Sequence, residues 1–436
     1  MVVINSLART APAHRRAHAR ILVRNADGSP LASTEVGVEQ VRHAFGFGNI
    51  GFDFIPLANR EVVPDASATR VETFGGASID QLESLAEQWL ELFNTATLPF
   101  YWGRFEPVRG RPDTERLRRT AQWFRDRDVA VKGHPLVWHT VTAPWLLDLS
   151  LDEVEAAQRH RIRRDVTEFA GLIDTWDAIN EVVIMPVFDR EENGITRLAF
   201  DRGRIAMVRM AFEEARASNP NAVLLLNDWD LSSAYECLIE GVLEAGITID
   251  ALGLQTHMHQ GYRGEDEILA IVDRFARFGL PIHMTESTLL SGRRMPPHIT
   301  DLNDYRVSEW PSTPEGEEQQ ASEITRHYRS LVGHPAVRSI TYWGLTDNGS
   351  WLGAPGGLVR ADGSPKPSFA ALRGLIKGEW WLPPTEARTD EQGMVEVSGF
   401  LGDYRVTVGD ESGTVALTVA GPADYTLTVD RGGSPA

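Results

Sequence analysis

The chain has 436 residues, a formal net charge of −18 at pH 7, 42% hydrophobic residues, 12 tryptophans and one cysteine. That length holds one large domain plus something smaller, and the apolar content suffices to bury a core, which excludes a disordered polymer. The acidic balance argues against nucleic acid and anionic lipid as partners, Cys237 alone forms neither an internal disulfide nor a CxxC metal site, and no apolar run reaches the ~20 residues of a membrane helix.

The N-terminal stretch MVVINSLARTAPAHRRAHAR lacks the apolar segment of a secretory signal, which leaves cytoplasmic residence and removal of a signal both open. Next, ARILVRNADGSPLASTEVGVEQV (19–41) reads as two strands around the turn Asp27-Gly28-Ser29-Pro30. Short apolar runs then recur at Ala44–Phe47, Phe93–Leu98, Val129–Gly133, Trp176–Asn180, Val223–Asn227, Ala251–Gln255, Pro281–Thr285 and Ser339–Trp343. Amphipathic stretches separate them. Residues 79–93 place Leu82, Leu85, Ala86, Trp89 and Leu92 on one helical face, and 113–127 do the same with Leu117, Ala121 and Phe124. The helix beginning near Leu151 opens with acidic residues, as the helix dipole favours, and its basic run RHRIRR (159–164) reads as a solvated face. Five further helices are expected near 204–218, 234–245, 265–278, 315–331 and 365–376.

Eight strand–helix units over roughly 335 residues predict an α/β fold, a (β/α)8 TIM barrel. The rival is a doubly wound sheet with a dinucleotide turn. FGFGNIGFDF (45–54) carries GxGxxG by letter, but no helical pattern follows, and the stretch reads as a loop. Residues 394–429 return to alternating strands with Gly/Asp turns, after a boundary at Trp381-Leu382-Pro383-Pro384. The expected organisation is an N-terminal β segment (1–42), the barrel (43–380) and a C-terminal β segment (381–436). Each flank has too few strands for a core of its own, so 19–41 and the C-terminal segment are expected to form one small all-β accessory module, a β-sandwich.

Catalytic groups of a barrel lie at the C-terminal ends of its strands. Read from the sequence, those ends give His134, Trp138 and His139 in GHPLVWH; Asn180 and Glu181 in WDAINE; Asn227 and Asp228; Gln255 and His257; Glu286 in HMTES; then Trp343 and, further on, Trp351. Glu181 and Glu286 are far apart in sequence, and only the fold can bring them together. Two carboxylates in an aromatic-lined cleft are what glycoside hydrolysis needs: one protonated to serve the leaving oxygen, one ionised to attack or to activate water. Tryptophan faces stack on sugar rings, while Asn, Gln and His meet hydroxyls. Asp228 reads as a hydrogen-bonding support.

These segments resemble glycoside hydrolase family 10, retaining (β/α)8 enzymes whose usual activity is endo-β-1,4-xylanase. GHPLVWH is similar to the family's GHTLVWH, WDAINEVV to WDVVNE, GLQTHMH to GLQSHL, IHMTES to ITELD and WGLTDNGSWL to WGVTDKDSWL. FNTATLPFYWGRFEPVRG is similar to FNxxTxENxMKWxxxEPxxG, and the likeness runs in order from about Phe45 to Leu375. The resemblance implies Glu181 as general acid/base, Glu286 as nucleophile, Asn180 at the sugar 2-hydroxyl and His257 bonded to the nucleophile. His134, Trp138, His139, Gln255, Trp343, Trp351 and Trp102 would line the substrate site. It implies double displacement, with carboxyl groups ~5–5.5 Å apart. The expected partner is a carbohydrate, β-1,4-xylan or xylo-oligosaccharides, with no cofactor. His134, His139, His257 and His259 lack a helical HExxH, so no metal is expected.

Two departures matter. Where the family carries ENxMK, this chain has the shorter, apolar Leu98-Pro99-Phe100-Tyr101, which keeps open a different β-glycoside, such as a plant glycoside, as substrate. Where the family places Asp two residues after the nucleophile, this chain has Thr288, so His257 lacks a charged partner and a pH profile unlike the family's is expected. A non-catalytic carbohydrate-binding barrel is the alternative of another class; retention of both glutamates speaks against it.

Overall fold

The computed structural model describes residues 3–5, 12–61, 75–77 and 79–429. The chain forms two compact units, Met1–Gly46 with Phe369–Ala436, and Phe47–Ser368. In chain order the strands are β1 (Val3–Asn5), β2 (Arg16–Arg24), β3 (Glu35–His43), β4 (Gly46–Ile50), β5 (Thr95–Pro99), β6 (Ala130–His134), β7 (Thr175–Asn180) and β8 (Val223–Asp228). They continue with β9 (Ala251–His257), β10 (Ile282–Thr288), β11 (Val337–Tyr342), β12 (Thr385–Arg388), β13 (Met394–Phe400), β14 (Gly402–Val408), β15 (Glu411–Leu417) and β16 (Gly421–Thr428).

The first unit draws on both ends of the chain and, apart from a helical stretch over residues 369–379, is built around two β-sheets. One sheet has the order β1-β13-β2-β16 and the other β12-β3-β14-β15. Along β2 the residues alternate, with Ala17, Ala19, Ile21 and Val23 buried, and along β14 Tyr404, Val406 and Val408 are buried in turn. This period of two is what a half-buried strand requires. The inward residues of both sheets share one core, so neither flank is a folding unit alone. Tyr404 closes it: its buried hydroxyl donates to the Phe400 carbonyl at 2.6 Å.

In the second unit β4 to β11 close into a parallel barrel in sequential order. The helices between the strands follow the sequence pattern. Leu82–Leu92 buries Leu82, Leu85, Ala86, Trp89 and Leu92, and Thr114–Arg125 buries Leu117, Ala121 and Phe124. Leu151–Glu168 starts in a capping box: Ser150 Oγ accepts from the Glu153 amide, and the Glu153 carboxylate accepts from the Ser150 amide. That arrangement satisfies two of the amides that a helix start leaves open. A short helix, Gly194–Arg202, has no counterpart among the expected ones. Among the described residues no helix is long and apolar enough to cross a membrane.

Two local readings are corrected. The glycine-rich stretch after Phe45 is the first barrel strand, β4, and not a loop. A Cβ on Gly48 would lie 2.5 Å from Thr95 Oγ1 and 2.9 Å from Thr341 Oγ1, so glycine is needed where β4 is squeezed between its neighbours. The basic run 159–164 is not wholly solvated either. Arg161 is 2% exposed; its guanidinium donates to the carbonyls of Leu136 at 2.8 Å and Pro135 at 3.2 Å, and to that of Phe100. It thereby ties the helix to the ends of β5 and β6, at the mouth of the barrel.

Candidate active site

Glu181 directly follows β7 and adopts a left-handed φ of 58°, a conformation that is costly for a residue with a Cβ and that clusters at functional sites. Its amide donates to the Asn227 carbonyl at 2.8 Å. Glu286 lies within β10, where the pairing with β9 slips between Met284 and Glu286. Such an irregularity re-aims a side chain. Here it lets two consecutive residues serve one network: Thr285 donates to Asn227 Oδ1 at 2.6 Å, while Glu286 Oε1 accepts from Asn227 Nδ2 at 3.2 Å.

The two carboxylates are joined by a chain of amides. Gln255 Nε2 donates to Glu181 Oε1 at 3.2 Å and to Asn180 Oδ1 at 3.1 Å. Asn227 Nδ2 donates to the same Asn180 oxygen at 2.8 Å as well as to Glu286. Both donors point at Asn180 Oδ1, which fixes the amide's orientation and leaves its NH2 as the group that can face a substrate. Of these five residues, all but Glu181 are at most 5% exposed.

The environments of the glutamates differ. Trp138 Nε1 donates to Glu181 Oε2 at 2.7 Å, and His139 Nε2 lies 3.9 Å from the same oxygen. Burial pushes the Glu181 carboxyl up to about 7; the Trp138 and Gln255 hydrogen bonds pull it down, and the charge of Glu286 adds to the rise. On the other side, His257 Nε2 lies 3.0 Å from Glu286 Oε2, and His257 Nδ1 lies 3.0 Å from Thr288 Oγ1. A neutral ring satisfies both contacts when the Thr288 hydroxyl donates to Nδ1 and Nε2–H donates to Glu286. His134 Nε2 is 4.0 Å from Glu286 Oε1.

His134 is itself held from below. Its Nδ1 and Lys132 Nζ both lie 2.7 Å from Asp177 Oδ2, and all three residues are buried. Burial alone would raise Asp177, but Lys132 and His134 outweigh it and hold the carboxyl below the usual range. Asp228 is also buried, and burial pushes it up to about 8. It accepts from the amides of Val183 and Asp230, each at 3.0 Å, and so fixes the chain just beyond Glu181.

Aromatic rings cover the site. Trp343 is 5.3 Å from the His134 ring and 6.2 Å from that of His257. Trp351, 37% exposed, sits 4.8 Å from His257. His139 is buried against Phe188 at 4.4 Å, and burial lowers it to about 3. Thus Glu181, Glu286, His134, Trp138, His139, Asn180, Gln255, His257, Trp343 and Trp351 are assembled in one place. Trp102 is not among them. Its indole N–H donates to Glu106 at 3.1 Å, its ring lies under the Arg161 guanidinium at 4.9 Å and against Trp145, and it is 4% exposed. The short helix Trp102–Phe105 turns it toward the Leu151–Glu168 helix, away from the carboxylates.

Asn227 and Tyr101 are among the participants to which the sequence reading gives no role. Asn227 bridges the glutamate network, and its only advance signal is its place at a strand end. Tyr101 stands 5.3 Å from the Trp138 ring and 5.7 Å from that of His134, in a segment whose letters suggest only lost polarity. Among the described residues, no group of three or more His, Cys, Asp or Glu side chains is placed to hold a metal ion.

Comparison with known proteins agrees with this fold. The sequence pattern of glycosyl hydrolase family 10 matches residues 74–374. Endo-1,4-beta-xylanase B of Thermotoga neapolitana is 28% identical over 316 residues, covering 67% of this chain and 84% of that protein. The anti-sigma-I factor RsgI6 of Acetivibrio thermocellus is 23% identical over 426 residues, covering 96% of this chain but 47% of its own length. Among solved structures, xylanase 10B from Thermotoga petrophila RKU-1 in complex with xylobiose superposes with a TM-score of 0.59 at 21% identity, covering 77% of this chain and 94% of that one. Native xylanase 10B from Thermotoga maritima gives a TM-score of 0.58 at 24% identity, covering 69% of this chain and 91% of that one. At these identities the structures speak for the fold, a (β/α)8 barrel, while the sequence pattern speaks for the family. The chain belongs to glycosyl hydrolase family 10 and is a glycoside hydrolase.

Proposed function

We propose that the protein cleaves β-1,4-linked xylan or xylo-oligosaccharides by double displacement, with Glu286 as nucleophile and Glu181 as general acid/base. The observation that carries this is the pair itself: donors hold both oxygens of each carboxylate, and burial together with the charge of Glu286 raises Glu181 to about 7. A proton donor for neutral pH and a held nucleophile are the two roles that the reaction requires.

In the first step Glu181 gives its proton to the glycosidic oxygen as that oxygen leaves the anomeric carbon, and a Glu286 oxygen bonds to the same carbon. In the second, the Glu181 carboxylate takes a proton from water, the water oxygen bonds to the anomeric carbon, and the ester to Glu286 breaks. The free NH2 of Asn180 is suited to the sugar 2-hydroxyl, whose contact strengthens as positive charge develops on the ring. Trp343 and Trp351 offer apolar faces to the sugar, and His134 and Gln255 offer hydrogen bonds. Relatives named as xylanases support the choice of sugar.

The test is the anomeric configuration of the first product released from an aryl β-xyloside or a xylo-oligosaccharide, followed by NMR. The β anomer is expected first, as two inversions require, with carboxyl groups about 5–5.5 Å apart. The α anomer appearing first would overturn the assignment of Glu286 as nucleophile.

A further inference from the structure

One wall of the cleft is a row of aromatic rings drawn from separate elements. Trp343 follows β11, Phe52 lies in the turn Phe52–Phe54 after β4, and Tyr101 follows β5. Trp343 and Phe52 meet edge to face at 5.9 Å, and Phe52 and Tyr101 do so at 6.0 Å. Tyr101 continues the row to the rings of His134 and Trp138. The row passes along His134, which approaches Glu286, and so it borders the sugar ring that Glu286 attacks. Any further glycone sugars must extend from that ring, on the side opposite the leaving group.

The row is held in place from behind. A Cβ on Gly76 would lie 2.3 Å from Gly349 Cα, so the segment ahead of the Leu82–Leu92 helix and the segment after β11 touch backbone to backbone. The Ala77 amide donates to Asp53 Oδ1 at 3.2 Å, which anchors the residue next to Phe52. Phe52 is 5% exposed and packed on both sides by aromatic rings, so its ring has no room to swing aside. The exit of β5 gives this wall nothing polar beyond one phenol. Leu98 and Phe100 are fully buried, Phe100 among Phe105, Phe169 and Trp176, and Trp102 faces Glu106. A second glycone ring placed here would surrender hydroxyl hydrogen bonds with water to aromatic carbon, and sites unable to replace such bonds discriminate by orders of magnitude.

We propose that Tyr101 and Phe52 end the glycone side after a single ring, so that the enzyme removes one sugar at a time from non-reducing ends or from small β-glycosides rather than cutting within a polymer. This rests on the hydrolytic reading above, and the substrates for its test are chosen to separate the two. The measurement is kcat/KM on matched pairs: 4-nitrophenyl β-xyloside with β-xylobioside, and 4-nitrophenyl β-glucoside with β-cellobioside. The monosaccharide of the active pair is expected to be favoured at least ~10-fold, and Tyr101→Ala to shift that ratio at least ~10-fold toward the disaccharide. Phe52→Ala gives the same shift by a second route. A residue of merely structural importance would lower both substrates alike and leave the ratio where it was, which overturns the assignment of Tyr101. Wild-type preference for the disaccharide, or equal rates on the two, overturns the single-ring proposal while leaving hydrolysis intact. No turnover of any of the four overturns both readings.

Discussion

On one side of the cleft, the ends of β7, β8 and β9 contribute Asn180, Glu181, Asn227 and Gln255, whose amides join one carboxylate to the other. On the other side, the exit of β5 and the turn after β4 contribute Tyr101 and Phe52, which meet through ring edges. The first region is a polar network in which a change to one member strands its partners; the second is a packed surface in which shape and hydrophobicity decide. On the proposed reading, the difference assigns bond cleavage and the choice of sugar to separate strand ends. A barrel can retain the first while the second drifts.

The harshest way to break the polar side is to remove Glu286, the proposed nucleophile. Glu286→Ala is expected to lower kcat on an aryl β-glycoside by on the order of 10⁴-fold or more, as losses of attacking groups do. Added azide should restore turnover and yield the α-glycosyl azide, because azide then attacks the face that Glu286 has vacated. A β-azide would place the attacking carboxylate elsewhere. Next in size is Asn227→Ala. It removes the donor shared by Asn180 Oδ1 and Glu286 Oε1 and leaves the Thr285 hydroxyl unpartnered there. A loss of roughly 10²-fold in kcat/KM is expected, with the thermal midpoint lowered as well. A loss under about threefold would show that the two glutamates act without the bridge.

Much of this was legible in the letters, for physical reasons that can be named. Strands β5 to β11 and their helices announce themselves because a barrel strand buried on both faces reads as a short apolar run, and each covering helix shows one apolar stripe. Glu181 and Glu286 were findable because strand ends are where a barrel exposes side chains. What stayed hidden depends on close approach. Gly48 looks like a turn residue until Thr95 and Thr341 are seen against it. Arg161 looks solvated until the carbonyls of Leu136 and Pro135 are found beneath its helix. Trp102 keeps its place in the family's motif, yet a one-turn helix aims it at Glu106, and no periodicity reports that direction.

A gentler change sharpens the contrast through pH. As the proposed general acid, the Glu181 carboxyl, raised to about 7, has to be protonated for the first step, so kcat/KM should fall as pH rises through about 7. The Trp138 N–H stabilises the charged form of Glu181, so Trp138→Phe should raise its pKa further and move the alkaline limb to higher pH, with a rate loss near ~10-fold. A limb that moves to lower pH would mean that the indole bond is not what tunes the acid, and that burial by the aromatic side sets it instead.

The smallest expected effect comes from Thr288, two residues beyond the proposed nucleophile. Thr288 Oγ1 is the hydrogen-bond partner given to His257 Nδ1, and His257 Nε2 in turn meets Glu286. Thr288→Val keeps the shape of the side chain but removes the hydroxyl, so nothing holds the ring in the form that presents Nε2–H to the carboxylate. A cost of ~1 kcal/mol, or about fivefold in kcat, is expected. Thr288→Ser keeps the hydroxyl and should retain most of the rate, which separates loss of the hydrogen bond from loss of packing. If Val and Ser fall equally, the methyl group matters more than the hydroxyl at this position. Thr288 would then belong with the packed side of the cleft, and the border between the two regions would run through β10 itself.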